Sequence, residues 1–446
     1  MKKLKLSTAQ IILFGFFLTI LVGSLLLSLP ISSASGVSIP YIDALFTATT
    51  ATCVTGLVTV TTATAWSVFG QAVILLLIQI GGLGVITVMS VFMIMFGRKI
   101  SLGGRLLIMD SFNLDTLSGL ISFIKKVVVG SLAVEGIGAL LYMTVFIPQF
   151  GLRGIWISIF NAISAYCNAG MDIISDSSLY AYVENPVINL VTSLLIIIGG
   201  IGFIVWWDVI RVMKCKNKRH FRFLSLHSKI VLTTTLFLIV IGALMIFIFE
   251  YNNPETLGKL SPWGKIQASL FQSVTTRTAG FASIPQESLT IPSVLICLVL
   301  MFIGGSPVGT AGGVKTVTFF VILFTTLSVI AGKSAPSVFG RRISDKSLKK
   351  ALAVFTTSFI IMFTSTVLLS VCTDASLTDI IYETVSATAT VGLSRNLTSS
   401  LGTMGKIIII ATMYTGRIGP ISFAIAFKGK EYGNTIKDPT EEITIG

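Results

Sequence analysis

Thr388-Ala389-Thr390-Val391-Gly392-Leu393 is a short polar stretch between an apolar segment of half length and one of full length. The same pattern occurs three more times, as Thr52-Cys53-Val54-Thr55-Gly56-Leu57, Tyr166-Cys167-Asn168-Ala169-Gly170-Met171 and Thr276-Arg277-Thr278-Ala279-Gly280-Phe281. The glycines Gly56, Gly170, Gly280 and Gly392 stand 114, 110 and 112 residues apart. Self-similarity at a near-constant period marks a repeat architecture, and four equivalent loops in one chain predict four walls of one pore.

The surrounding composition places these loops in a membrane. Of 446 residues, 53% are hydrophobic and 11% charged, with a mean hydropathy of +0.90. A spanning helix needs about 20 apolar residues. Runs of that kind lie at 10–29, 70–96, 120–147, 187–209, 229–249, 291–331, 349–371 and 404–427, which predicts eight spans. The first run follows Lys2, Lys3 and Lys5 without a convincing cleavage site, so it reads as a retained helix rather than a signal peptide. The expected fold class is an all-α polytopic membrane protein of four tandem helix, pore helix, loop and helix units around a pseudo-four-fold central pore. The units run 1–98, 99–215, 216–335 and 336–430, followed by a tail at 431–446.

The half-length segments near 41–51, 156–165, 262–275 and 376–387 can enter a bilayer but not cross it. At 1.5 Å per residue, about 10–14 residues give roughly 15–21 Å against a core of about 30 Å. Ser261-Pro262 and the Ser376/Asp379 pair are helix-start signals, so these helices begin outside and point inward. A helix ending at mid-membrane leaves its last carbonyls unpaired, which is tolerated only where they are buried in protein or face water. Its C-terminus carries partial negative charge and favours a cation. A glycine there lets the chain turn successive carbonyls toward one axis, and rings of carbonyls can replace the hydration shell of potassium. The expected filter residues are Val54, Thr55, Gly56, Asn168, Ala169, Gly170, Thr278, Ala279, Gly280, Thr390, Val391 and Gly392, with potassium held by their backbone carbonyls.

The formal net charge of +13 raises the question of nucleic acid, but topology accounts for it. Of 32 basic residues, 24 fall in the amino terminus, 98–126, 211–229, 333–350 and the tail from 428. By the positive-inside rule that side is cytoplasmic, with both termini on it, and no nucleic-acid binding is expected. Acidic residues concentrate on the other side: Asp43, Asp172, Asp176, Glu184, Glu250, Glu255, Glu287, Asp374, Asp379 and Glu383. They read either as a cation-concentrating vestibule or as loop charges and helix caps. Five cysteines without ligand spacing and two histidines in a basic loop leave no metal set, no cofactor site and no catalytic constellation, so an enzyme is not expected.

A second glycine series lies 24–29 residues beyond the first, at Gly81-Gly82, Gly199-Gly200, Gly304-Gly305 and Gly416. Small residues of this kind serve close helix packing as readily as gating. The third unit stands apart, because its run 291–331 is too long for one pass and is interrupted. Gly304, Gly305, Ser306, Pro307, Gly309, Thr310, Gly312 and Gly313 make continuous helix costly there, and a broken segment at that depth could lie across the path as a gate. Lys315, which faces either the cavity or the cytoplasm, and Arg417, a charge inside a span, complete the candidate gate. Arg277 is expected behind the filter wall, since a guanidinium on the axis would block a cation. Glu135 is expected to pair with a donor on a neighbouring helix.

Thr390-Val391-Gly392 resembles a potassium-channel filter, and the chain as a whole resembles the Trk/Ktr/HKT superfamily of potassium transporters. It is most similar to the membrane subunits of bacterial Ktr systems, the KtrB/KtrD type. The likeness rests on Ile42-Asp43-Ala44-Leu45-Phe46-Thr47, Gln79-Ile80-Gly81-Gly82-Leu83-Gly84, Arg277-Thr278-Ala279-Gly280-Phe281 and Gly416-Arg417-Ile418-Gly419-Pro420. The resemblance implies a homodimer of such pores in the bacterial cell membrane and a cytosolic nucleotide-binding regulatory ring of the RCK type. It also implies a gating role for Arg417, and potassium preference from glycine in all four loops. Sodium is left as activator or coupled ion. A channel-like uptake pore is the leading reading and a secondary transporter coupled to sodium or protons the alternative, although the repeats all run in one direction rather than inverted. The run from Gly304 to Gly313 departs from the small-residue loop expected of the family by containing Pro307.

Overall fold

The structure is a computed structural model that describes residues 7–95, 102–111, 119–214, 220–332, 336–419 and 423. The tail at 431–446 and the end of the expected last span lie outside these residues. Among the described residues fifteen principal helices carry the fold. They are α1 (Thr8–Leu27), α2 (Tyr41–Cys53), α3 (Val68–Leu83), α4 (Val85–Met95), α5 (Leu120–Phe150), α6 (Arg153–Cys167), α7 (Pro186–Gly200) and α8 (Phe203–Met213). The series continues with α9 (Leu226–Glu250), α10 (Pro262–Thr275), α11 (Ile291–Ile303), α12 (Thr316–Ile330), α13 (Asp345–Cys372), α14 (Leu377–Ala389) and α15 (Thr403–Ile418).

Burial is inverted relative to a water-soluble protein. The threonine-rich α2 has 10 of its 13 residues buried, whereas in the apolar α13 only Ala351, Ser358, Ser365 and Leu369 of 28 are covered. Phe14, Phe17 and Leu18 of α1 are exposed. Polar short helices at the centre inside an apolar exterior suit a hydrocarbon solvent, where side chains facing lipid gain nothing by hiding. Among the described residues α1, α5, α9 and α13 are each long and apolar enough to cross a membrane, and counting two bent pairs as single spans gives six.

Those bent pairs correct one expectation. The interruption expected only in the third unit also occurs in the first and second: α3 meets α4 at 99° and α7 meets α8 at 98°. The pivots are Gly84 (φ +86°) and Gly202 (φ +92°), both in the left-handed region that glycine enters without strain. The fourth helix of this class, α15, likewise stops at Gly419 (φ +93°). In the third unit the expected break is present, with α11 and α12 separated by residues 304–315.

The units close into a ring. The helix after each glycine loop packs on the short helix of the next unit: α3 on α6, α7 on α10, α11 on α14 and α15 on α2. A polar tie crosses each seam. Trp156 donates its indole N–H to Gln71 Oε1 at 2.9 Å, and Asn189 donates to Gln267 Oε1 at 3.3 Å. Tyr382 donates to Gln286 Oε1 at 2.9 Å, and Lys406 Nζ meets Asp43 Oδ1 at 2.6 Å.

Candidate functional site: a ring of four glycine loops

Three of the four short helices end in a left-handed cap, and the chain after α10 reaches the same conformation two residues later. Val54, Asn168 and Thr390 cap α2, α6 and α14 in the left-handed conformation, at φ of 55°, 61° and 52°, and Thr278 takes φ 64° after α10. The next residue, Thr55, Ala169, Ala279 or Val391, does not, and the following glycine again has positive φ: 100° at Gly56, 64° at Gly170, 82° at Gly280 and 97° at Gly392. Reversing the sign of φ at every second residue turns consecutive peptide planes alike, so successive carbonyls share one side of the strand. Non-glycine residues rarely hold positive φ, and here four hold it at one register position, two residues before the loop glycine.

Hydrogen bonds fix the loops. Thr55, Ala169 and Val391 donate their N–H to the carbonyls of Thr50, Ser164 and Ser386 at 2.9, 2.8 and 2.8 Å. The hydroxyls of Thr50 and Ser386 accept from Gly56 N and Gly392 N at 2.9 and 3.0 Å. Ser164 donates to the Met171 carbonyl at 2.5 Å and Thr275 to the Phe281 carbonyl at 2.6 Å. These four hydroxyl residues were not singled out from the sequence. The available signal is a Ser or Thr six residues before the glycine in three loops and five before it in the third. That offset marks a real difference, because Val274 stands where the other loops carry Thr or Ser, α10 ends two residues earlier relative to its glycine, and the third loop's first bond runs from Ala279 N to Thr275 O.

The four glycines meet. A Cβ on Gly56 would lie 2.6 Å from the Ala169 carbonyl, on Gly170 2.6 Å from the Ala279 carbonyl, and on Gly280 2.5 Å from the Val391 carbonyl. On Gly392 it would strike the Thr55 carbonyl, which closes the circuit. All four short helices therefore aim their C-termini at one point, where each contributes about half a negative charge.

Beneath the ring, the later glycines are packing residues in three units. A Cβ on Gly81, Gly199 or Gly416 would collide with the carbonyl of Thr52, Tyr166 or Thr388, each four residues before its loop glycine. The third unit instead sends residues 304–313 across. Ser306 N and Thr310 N donate to the carbonyls of Gly200 and Gly199 at 2.9 and 3.2 Å, and Val308 accepts from Phe203 N at 2.9 Å. Pro307 lies over the bend of the second unit, where a Cβ on Gly202 would meet its carbonyl.

Three cations grip this crossing segment by its carbonyls. Arg417 donates to Thr310 O at 2.5 Å and to Gly81 O at 2.6 Å. Lys315 turns back to Ala311 O at 2.6 Å. Arg277 reaches Gly304 O at 3.3 Å and Thr235 Oγ1 at 3.4 Å, which places it behind the third loop. Glu135 accepts from Gln79 Nε2 at 3.1 Å.

The outer carboxylates are mostly engaged in structural bonds, which favours the helix-cap reading over an open vestibule. Asp43 is paired with Lys406, and Asp379 with Arg395 at 2.7 Å. Glu250 accepts from Thr256 and Thr290 at 2.6 and 2.7 Å, and Glu383 from Ser394 and Thr398. Glu184 accepts from Ser261 at the start of α10 at 2.7 Å, and Asp176 from Thr64 at 3.3 Å. Asp172 differs, since it lies two residues beyond Gly170 with no cationic partner among the described residues. Burial pushes its carboxyl up to about 6, against opposing hydrogen bonds from Ser178, Ile174 and Ser175.

Residues 5–435 match the family described as TrkH, cation transport protein. The chain belongs to this Trk/Ktr family. Similar proteins include the Ktr system potassium uptake protein B of Bacillus subtilis (strain 168), 44% identical over all of this chain and 98% of that one. The potassium/sodium uptake protein NtpJ of Enterococcus hirae is 39% identical over 99% of this chain and 98% of its own. The potassium transporter TrkH from Vibrio parahaemolyticus superposes with a TM-score of 0.75 at 16% identity, covering 96% of this chain and 86% of that one, so the two share a fold. The Trk/Ktr assignment makes this a multi-pass membrane cation transport protein.

Proposed function

We propose that this chain is the potassium-selective, ion-translocating subunit of an uptake system, with the glycine ring as selectivity filter and residues 304–313 as gate. The observation that carries the reading is the closed circuit of contacts from Gly56 through Gly170 and Gly280 to Gly392. Four loops with the same alternating backbone present carbonyls at the convergence of four helix C-termini, a place where a dehydrated cation is stabilised and an anion is not. In this reading eight spans cross the bilayer. The bent pairs supply two, α11 with α12 a third, and α15 belongs to the last.

Inward flux of potassium needs no chemistry in this chain, because the membrane potential supplies about 2.3 kcal/mol per charge per 100 mV. Cytoplasmic termini follow from the positive-inside distribution. The Ktr relatives, named as parts of a system, support partner subunits, here a second copy of the chain and a cytosolic nucleotide-binding ring. A second reading, coupling to sodium or protons, draws support from the relative named for both potassium and sodium uptake.

The deciding experiment is flux in liposomes containing the full chain. Potassium uptake driven by voltage alone, with sodium excluded on both sides and pH equal, fits the pore. Uptake that requires a sodium or proton gradient replaces the pore with a coupled carrier.

A further inference from the structure

The crossing segment is bonded to the glycine loops themselves, with a side chain at one end of each bond at least. Thr310 donates its hydroxyl toward Asn168 Oδ1 at 2.8 Å and the Tyr166 carbonyl at 3.0 Å, while Gly312 N donates to Thr278 Oγ1 at 3.1 Å. A Cβ on Gly312 would lie 2.6 Å from the Ala389 carbonyl and would strike Thr390 Oγ1. One loop thus touches three of the four walls. Asn168, Thr278 and Thr390 occupy the left-handed position that sets the direction of the carbonyls above it. In the first wall that position holds Val54, which has no hydroxyl or amide to offer. The Asn168 amide nitrogen has no partner among the described residues, so its oxygen's bond to Thr310 is what orients it.

We infer that the side chains of Asn168 and Thr278 are positioning residues that couple the segment 304–313 to cation selection, so that releasing the segment also loosens the walls. The inference rests on the filter and gate reading above. Its physical basis is the strain of a non-glycine residue at positive φ, which persists only where the surroundings over-determine it. Two of the four such residues use the crossing segment as part of that constraint. By linkage, whatever binds in the ring then biases the segment, and the reverse holds equally.

Thr278→Val tests this with little change of shape, since the chain already places Val54 at φ 55° in the equivalent site. In liposomes the variant is expected to raise resting potassium flux and to lower the ratio of potassium to sodium flux severalfold. Thr278→Ser, which keeps the hydroxyl, is expected to restore both. Thr310→Val provides an independent break on the second wall, with the same pair of effects expected. Raised flux with an unchanged ratio in both valine variants would make the segment a simple lid and overturn the coupling, as would no change at all. Gly392→Ser in the same assay separates the two levels. If it shifts the ratio and the valine variants do not, the filter stands and only the coupling fails; if it too leaves the ratio unchanged, the filter reading itself fails.

Discussion

The guanidinium of Arg417 donates to the carbonyl of Thr310 at 2.5 Å, tying the last described helix of the chain to the segment that crosses beneath the glycine ring. Its other terminal nitrogen holds Gly81 of the first unit, so one side chain joins three units. Hydrogen bonds to a charged group contribute about 1.5–3 kcal/mol each. Arg417→Ala is therefore expected to raise resting potassium flux by one to two orders of magnitude, on the order of 2–3 kcal/mol in the closed-to-open balance. Deleting part of 304–313 should do the same. Unchanged flux in liposomes from both variants would remove the gate assignment.

A side chain on the ring glycines has nowhere to go. Gly56 and Gly392 hold φ of 100° and 97°, and a Cβ on either meets the carbonyl of the next wall. Gly392→Ser and Gly56→Ser are expected to turn or displace that carbonyl and to reduce the preference for potassium over sodium by about tenfold, roughly 1.4 kcal/mol of lost discrimination. Competitive flux measurements check this, and a preserved preference contradicts the filter.

Asp172 supplies a pH dependence of definite sign. Its carboxyl ionises near 6, so it is charged above that value and neutral below it. Potassium uptake should fall as the outer solution is acidified through that range, because a local negative charge at the mouth raises cation encounter, by on the order of tenfold at low salt. The effect should shrink at high ionic strength. Asp172→Asn should give the low-pH rate at every pH, and a wild-type profile without an inflection near 6 counts against Asp172 facing the path.

Lys406 and Asp43 close the seam between the last unit and the first, with side chains only 14% and 10% exposed. Removing either partner leaves a largely buried charge uncompensated, at a cost of about 2–4 kcal/mol once partial solvation is allowed for. Asp43→Asn is expected to lower the thermal midpoint of the detergent-solubilised protein, and adding Lys406→Met should recover part of the loss. Equal midpoints for wild type and Asp43→Asn would show the pair to be unimportant.

The four-fold repeat of short helices and glycine loops was legible because its signal is local and repeated. Apolar runs of two lengths, polar breaks and a glycine at constant spacing around Gly56, Gly170, Gly280 and Gly392 need no knowledge of distant contacts. The bends at Gly84 and Gly202 were not legible, since a glycine that packs against a carbonyl and one that reverses φ leave the same letter in the sequence. The engaged state of the outer carboxylates was hidden for another reason. Asp43 and Lys406 are 363 residues apart, and only ring closure brings them together. Likewise the third loop bonds through Thr275, one position nearer its glycine than the hydroxyl residues of the other loops, without disturbing the spacing of that glycine.

The circuit of glycines is written in one polypeptide, and that changes what mutation can do to it. In a pore built from four identical chains every substitution appears four times over, so a ring is either intact or wholly altered. Here each wall is encoded separately, and the walls already differ at one position as Val54, Asn168, Thr278 and Thr390. If the ring is the proposed filter, discrimination between ions is then open to grading in quarter steps, by one, two, three or four substitutions, and each wall can be given a different task without asking the others to share it.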